Sequence, residues 1–221
     1  VGLMTNTFSL STIDPVRLSN AFLDVHESQH VFTVLLNSLS NPGTIHTIDK
    51  TVWERTDGCA VPLLALLGHE TPFCVLGEHS EELTAIVQHV TTGRPSTLKD
   101  ARYVAIPHSV TSEEFAEIST GSDLRPDSAA QISVYCSGRF STSSSSDING
   151  TSVRLSGPGV NGESELTFEH IDSVVLASLL NRKFAFPRGH DIWFCNSEGQ
   201  VVAIPRSTTV TLISSSTEKV S

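Results

Sequence analysis

The fold of this chain is inferred first from Lys183–Thr209, KFAFPRGHDIWFCNSEGQVVAIPRSTT. Asp191–Cys195 alternates bulky side chains, and Gln200–Ile204 is rich in β-branched and small apolar residues, so both segments are predicted to be strands. The residues between them, Asn196–Gly199, provide a turn in which the glycine can adopt a positive φ. The two strands are therefore expected to form a tight antiparallel hairpin.

Two arginines flank this hairpin at one end. Pro205 cannot donate a hydrogen bond to a neighbouring strand, so it is expected to end the ladder and to fix where Arg206 leaves the sheet. Phe186–Gly189 brings Arg188 to the same end, and Asp191 is close by in the sequence. The simplest interpretation pairs Arg188 with Asp191 and leaves Arg206 solvated. The alternative is that both arginines bind an anion, either a partner carboxylate or a phosphate.

The composition is that of a globular chain. With 221 residues and 23.8 kDa, it is long enough for one domain, predicted over residues 1–221, and its 38% hydrophobic and 17% charged content is ordinary for such a domain. A formal charge of −10 argues against a nucleic-acid-binding surface, which needs concentrated lysine and arginine. No apolar run approaches the roughly 18 residues that a membrane span requires, and no basic segment followed by an apolar one opens the chain. A cytoplasmic location is expected.

The ends and the thiols give two further expectations. Val1–Asn6 is expected to be a frayed start, and a C-terminal tail is expected after the hairpin region.

The four cysteines are far apart in the sequence, which favours buried thiols over disulfides or a zinc knuckle. They are Cys59, Cys74, Cys136 and Cys195.

Hydrophobic periodicity predicts helices that alternate with strands. Helices are predicted over Asp24–Leu39, Ala60–Leu67, Glu81–Val90, from the capping box Thr111–Glu114 to about Thr120, and over His170–Leu180. Strands are predicted over Thr71–Leu76, Tyr103–Ile106, Gln131–Cys136 and Val153–Leu155. This order predicts an α/β fold with a mixed β-sheet covered by helices. Ser141–Gly150, STSSSSDING, is predicted to be an enlarged, mobile hairpin loop because its composition cannot order a core.

A metal-site motif lies in the first of these helices. Residues 26–30, HESQH, form a literal HExxH, which on a helix points two imidazoles at a zinc ion and supplies Glu27 as a base. The extended form of this motif has a glycine and a third histidine soon afterwards, and residues 33–39 contain neither. A solvated helix face is therefore preferred, and a stand-alone zinc hydrolase using His26 and His30 is the alternative.

Gly157–Gly162 satisfies the G-x-G-x-x-G pattern of dinucleotide-binding loops. In such a site a helix opens directly on the glycines, so that its N-terminal N–H groups meet the pyrophosphate. Here Glu163 and Glu165 follow, and the next helical pattern begins only near His170. A glycine-rich turn is therefore predicted in place of a nucleotide site.

The segments FPRGHDIWF, residues 186–194, and AIPRSTTV, residues 203–210, together resemble the C-terminal signature of the PhnH family, a subunit of the bacterial carbon–phosphorus lyase system. In that family an FPxGxD segment precedes one strand and an IPR-Thr-Thr segment follows the next. The resemblance extends over Phe22–Val210, with Thr33 standing where the family usually has an arginine. Further matching positions are Gln29, Phe32, Leu35, Leu36, Ser40–Gly43, Glu70–Pro72 and Leu155–Gly159.

The resemblance implies a fold related to the pyridoxal-phosphate-dependent transferases, without the cofactor. It also implies a core complex with PhnG, PhnI and PhnJ, and participation with PhnI and PhnL in making ribose 1-methylphosphonate 5-triphosphate from ATP and methylphosphonate. This chemistry displaces adenine by a phosphonate, and its acid–base residues are expected mainly on a partner. A vestigial pyridoxal-phosphate enzyme using Lys99 or Lys183 is a third hypothesis, although neither lysine has a convincing Schiff-base context.

The resemblance further implies a homodimer. The hairpin residues Ile192–Phe194 are expected to support it, because their apolar surface exceeds what one sheet face can cover. The family's IPR-Thr-Thr run corresponds to Ile204–Arg206, Ser207 and Thr208, with a serine in place of one threonine. The candidate residues for binding an anion or a partner are Arg188, Asp191, Arg206 and Thr208, and no metal ligands are predicted.

Overall fold

The structure is a computed structural model that describes residues 13–56, 58–77, 80–142, 148–182 and 186–213. Several predictions fall on positions outside these ranges. They concern the frayed start Val1–Asn6, the C-terminal tail, the centre of the serine-rich loop and the candidate lysine Lys183.

The described part of the chain contains seven α-helices and eleven β-strands. The helices are α1 (Pro15–Asn20), α2 (Val25–Ser40), α3 (Lys50–Arg55), α4 (Val61–Leu66), α5 (Ser80–Thr91), α6 (Ser112–Glu117) and α7 (Ser173–Asn181). The strands are β1 (His46–Thr47), β2 (Pro72–Val75), β3 (Arg94–Pro95), β4 (Tyr103–Ile106), β5 (Gln131–Cys136), β6 (Phe140–Ser141), β7 (Thr151–Ser156), β8 (Glu163–Phe168), β9 (Asp191–Asn196), β10 (Gln200–Ile204) and β11 (Thr209–Leu212).

The predicted mixed sheet is confirmed, with seven strands in the order β1-β10-β9-β5-β4-β2-β3. The five strands from β9 to β3 are parallel. At one edge β10 pairs antiparallel with β9, and β1 pairs antiparallel with β10. The predicted hairpin is β9–β10, in which Phe194 lies opposite Val202 and Trp193 opposite Ala203. Gly199 closes its turn with a φ of +76°, as the turn chemistry requires.

A second sheet covers part of the first, and the sequence patterns did not predict it. Its four antiparallel strands run in the order β11-β7-β8-β6. Together with α6 and α7 it covers one face of the large sheet, where Phe168 of β8 meets Phe194 of β9 with ring centroids 5.0 Å apart. Helices cover the opposite face, so the prediction of a sheet covered by helices holds for one face only.

The hairpin residues Ile192, Trp193 and Phe194 are each at most 2% exposed within a single chain. The expectation that their apolar surface supports a homodimer is therefore wrong. Alternate residues of β9 point to opposite faces, so the second sheet covers Ile192 and Phe194 while α2 covers Trp193.

The serine-rich loop does not close a hairpin, contrary to the prediction. β6 and β7 each pair with β8, on opposite edges, and not with each other. Gly150, just before β7, runs against the backbone of Phe168. The antiparallel partner that directly follows β7 is β8. The turn between these two strands is the glycine-rich segment 157–162, and a turn was the predicted structure for that segment.

Candidate functional site

The amino end of β9 brings together two of the four predicted site residues, Asp191 and Arg206. Asp191 opens β9 and Arg206 follows the last residue of β10, and the antiparallel pairing brings them together. One Asp191 oxygen accepts the backbone N–H of Arg206 at 2.8 Å, and the carboxylate also accepts Nε at 3.2 Å and Nη2 at 2.6 Å. The Arg206 Nη1 group donates to the carbonyl oxygen of Pro126. Both charged side chains of this pair are only 17% exposed.

Arg188 pairs with Asp123, through a contact of 3.2 Å between Nε and Oδ1, and both side chains are largely in solvent. The interpretation that paired Arg188 with Asp191 and left Arg206 solvated is therefore wrong. Gly189 explains the difference, because its φ of +135° turns the chain and its N–H donates to the Thr120 carbonyl at 3.0 Å. Arg188 is thereby carried toward the loop after α6.

Two buried basic side chains, Arg182 and His190, lie near the Asp191–Arg206 pair. No sequence pattern had indicated that either would be buried there. Arg182, 8% exposed, donates to the carbonyl oxygens of Ile204 at 3.1 Å and Pro205 at 2.8 Å, and burial lowers its pKa to about 10. His190 is equally buried, and burial, with smaller contributions from the two neighbouring arginines, lowers its pKa to about 4. The imidazole of His190 is therefore neutral at neutral pH.

His190 and Thr208 both face the interior. The Nε2 atom of His190 lies 3.4 Å from the Ile118 carbonyl, and its ring meets Phe115 edge-on at 5.5 Å. Thr208 is 2% exposed, and its hydroxyl has no hydrogen-bond partner among the described residues. The side chain of Thr208 is therefore buried and not available to bind an external anion.

The loop of residues 118–128 is held by this end of the hairpin. Its carbonyl oxygens make hydrogen bonds with the hairpin region: Ile118 with His190, Thr120 with Gly189, and Pro126 with Arg206. Asp123 in the same loop forms the ion pair with Arg188. Of the two arginines predicted from the sequence, Arg206 uses its guanidinium to bond Asp191 and Pro126. Arg188 is the one that is accessible to solvent. The arrangement can present a cation on a rigid edge.

The carboxyl end of β9 faces a cavity of about 490 Å³, which the sequence analysis missed. β9 spans six residues, so this end lies roughly 17 Å from the arginine pair at a rise of about 3.3 Å per residue. The cavity is lined by residues of α1, of α3 and the segment just after it, of α5, of the β4 and β5 ends and of the β9–β10 turn. Among them are Trp53, Gly58, Ser80, His108, Tyr135 and Ser197. Its residues come from six separate segments, so sequence spacing carried no signal for it.

Two of the HExxH residues, Glu27 and His30, make structural contacts. Asp24 and Glu27 form a reciprocal capping box at the start of α2, with both hydrogen bonds at 2.8 Å, and Glu27 also pairs with Arg55. His26 and His30 are exposed, and His30 accepts the Asp49 N–H at 3.3 Å. Within the described ranges, no group of three potential ligands is placed to hold a metal ion. The zinc hydrolase alternative gains no support.

The glycine-rich turn packs on the end of α2. A Cβ built on Gly159 would lie 2.7 Å from the Ser40 carbonyl oxygen, and one built on Gly43 would lie 2.6 Å from Leu155. The two segments that resembled PhnH, Ser40–Gly43 and Leu155–Gly159, are therefore in contact with each other. Their glycines allow close approach of backbone, which is the role predicted for a turn.

The candidate Schiff-base residue Lys99 and the four cysteines have the following environments. Lys99 is exposed in the loop before β4 and lies in no buried pocket. All four cysteines are reduced thiols and not disulfides, with Cys74 half-buried and the others buried, which confirms the expectation. Burial raises the pKa of Cys136 and Cys195 to about 12, so both are protonated thiols.

Comparison with protein families matches residues 21–211 to the family described as bacterial phosphonate metabolism protein (PhnH). The chain belongs to the PhnH family. The match takes in every strand of the large sheet, the arginine pair and both ends of β9. No curated protein matches the chain. Because it belongs to this family, the chain has a role in bacterial phosphonate metabolism.

None of the helices in the described ranges has the length and apolar character to cross a membrane.

Proposed function

We propose that this PhnH protein is a subunit of the carbon–phosphorus lyase core complex. In this role it supports the synthesis of ribose 1-methylphosphonate 5-triphosphate from ATP and methylphosphonate. The observation that carries the proposal is the family match over residues 21–211, which includes nearly all of the described fold. The partners are PhnG, PhnI and PhnJ, and the location is the cytoplasm. The chain acts as one domain, with a fold related to cofactor-less pyridoxal-phosphate-dependent transferases.

The arginine end of the hairpin suits a partner contact. Arg188 presents a half-exposed guanidinium beside the exposed Asp123, and the buried pair of Asp191 and Arg206 fixes the backbone beneath it. A guanidinium on a rigid edge can bind a carboxylate or phosphate through two parallel hydrogen bonds. We assign the direct contact to Arg188, with Asp191, Arg206 and Thr208 maintaining the local structure.

The protein is further proposed to be a homodimer. With the hairpin buried, the apolar surface that supports dimerisation is on the outer side of α2, where Val25, Phe32 and Leu36 are 81%, 47% and 51% exposed. These residues are separated by seven and four positions, so they follow one side of the helix. Light scattering should give the mass of a dimer for the wild type. A monomer mass at micromolar concentration would contradict this proposal.

Reconstitution tests the proposed role. The chain should co-purify with PhnG, PhnI and PhnJ, and Arg188→Ala should weaken assembly without a loss of thermal stability. Asp123→Ala is the matched control, because it removes the other half of the exposed pair and leaves the cation. Failure of the wild-type chain to co-purify with these partners would overturn the proposal. Normal assembly of Arg188→Ala would overturn only the assignment of the contact.

A further inference from the structure

The cavity at the carboxyl ends of the parallel strands lies where the sheet changes its winding direction. From β2 the chain passes through α5 to β3, which lies on one side of β2. The next strand, β4, lies on the other side of β2, and from it the chain passes through α6 to β5. α5 and α6 pack on opposite faces of the sheet, so their starting ends diverge. In open α/β sheets, ligands bind in the crevice that such divergence leaves.

Two aromatic side chains on either side of Gly58 line the cavity. Trp53 on α3 and Tyr135 on β5 both contact Gly58, because a Cβ built there would lie 2.8 Å from Trp53 Cζ2 and 3.4 Å from Tyr135 Cδ2. The Trp53 indole is held in place by a hydrogen bond of 3.2 Å from Nε1 to the Ser197 carbonyl. Rigid aromatic walls of this kind favour planar ligands, which can stack or pack edge-on against them.

The cavity also presents polar groups that the described protein does not use. The Tyr135 hydroxyl and the His108 imidazole have no hydrogen-bond partner in the described ranges, and both line the cavity. Either group can donate or accept a hydrogen bond. A volume of about 490 Å³ falls within the range of small-molecule sites.

The charges of the described lining argue against an anionic ligand. Arg17 is paired with Glu82, and Glu54 on the rim is paired with Lys50. The first turn of α5 carries Glu81 as well as Glu82, which opposes the attraction of a helix N-terminus for anions. The described lining thus offers no unpaired cation to bind a phosphate or phosphonate.

We propose that this cavity binds an uncharged, planar heteroaromatic molecule of nucleobase or nucleoside size. Its ring would pack against Trp53 and Tyr135, and its edge would bond to the Tyr135 hydroxyl and His108. The argument uses only the cavity and holds independently of assembly into a larger complex.

Titration calorimetry and ligand-observed NMR on the isolated chain test the proposal. Adenosine serves as the neutral probe, AMP as the same ring with an anionic group, and methylphosphonate as an anion alone. We expect adenosine to bind with a Kd below about 1 mM, AMP to bind no more tightly, and methylphosphonate not to compete. Absence of saturable adenosine binding would overturn the proposal. Tenfold tighter binding of AMP would overturn the uncharged ligand class.

Three variants locate the binding. Tyr135→Phe keeps the ring and should weaken adenosine binding about fivefold to tenfold, as expected for one lost hydrogen bond. Gly58→Ala should weaken it more, because the added Cβ displaces the Trp53 ring. Thr211→Ala, at an exposed position on β11 outside the cavity lining, is the control and should bind adenosine as the wild type does. Unchanged adenosine affinity in both Tyr135→Phe and Gly58→Ala would place the ligand elsewhere and overturn the proposal.

Discussion

Asp191 holds Arg206 by both its backbone and its side chain, accepting the amide N–H at 2.8 Å and the guanidinium at 2.6 Å. The carboxylate at the start of β9 therefore fixes the chain just after β10 ends. The remaining contact of the guanidinium, to the Pro126 carbonyl, joins the loop after α6 to the same point. A single ion pair thus connects three segments that are distant in the sequence.

Arg206→Ala should lower the free energy of unfolding by about 2–3 kcal/mol, because it leaves the mostly buried Asp191 carboxylate without its charged partner. Arg188→Ala is the matched control and should cost less than about 1 kcal/mol, since its pair with Asp123 is exposed. Denaturant unfolding of both variants checks the difference. Equal, small effects would mean that the buried pair contributes little to stability.

His190 should make stability depend on pH between its folded pKa of about 4 and its unfolded value near 6.5. In this window the unfolded chain binds a proton that the folded chain does not, so stability falls as pH falls, by about 1.4 kcal/mol per pH unit. His190→Gln removes this titration and should flatten the dependence between pH 6.5 and 5. Denaturant unfolding across that window measures it. A variant that keeps the full wild-type slope would contradict the burial of a neutral imidazole.

Replacing both His26 and His30 by Ala should change stability by less than about 1 kcal/mol, because both side chains are exposed. Glu27→Ala should cost about 1–2 kcal/mol, since it removes half of the capping box and the contact with Arg55. Thermal melting and metal analysis of the purified variants check both expectations. Stoichiometric zinc in the wild type that disappears in the double variant would restore the metal-site hypothesis.

Gly159→Ala should destabilise the protein more than Gly162→Ala, although both glycines have a positive φ, +82° and +72°. Both substitutions strain the backbone, but only the first also pushes a methyl group against the Ser40 carbonyl, whereas the position at Gly162 is open. We expect the difference to be about 1–3 kcal/mol. Parallel denaturant titrations measure it, and equal costs would show that the turn is free to move away from α2.

Several local structures followed from the sequence because their causes are local. The alternation in Asp191–Cys195 and the turn at Gly199 predicted the β9–β10 hairpin, and Asp24 with Glu27 marked the start of α2. The strand assignments for β4 and β5 were right to the residue, since each is a short apolar run between loops. The hairpin region and α2 also carried the resemblance that the match to the PhnH family confirmed.

Interactions between distant segments were decided only by the tertiary structure. The second sheet depends on β8 pairing with β6 on one side and β7 on the other, and a two-residue strand such as β6 has no periodicity to detect. The partners of the arginines depend on where Gly189 and Pro205 direct the chain in three dimensions. Local sequence determined the hairpin, the capped helix and the turns, because their hydrogen bonds join near neighbours. Packing determined the buried ion pair and the cavity, because their atoms come from segments that meet only when the chain is folded.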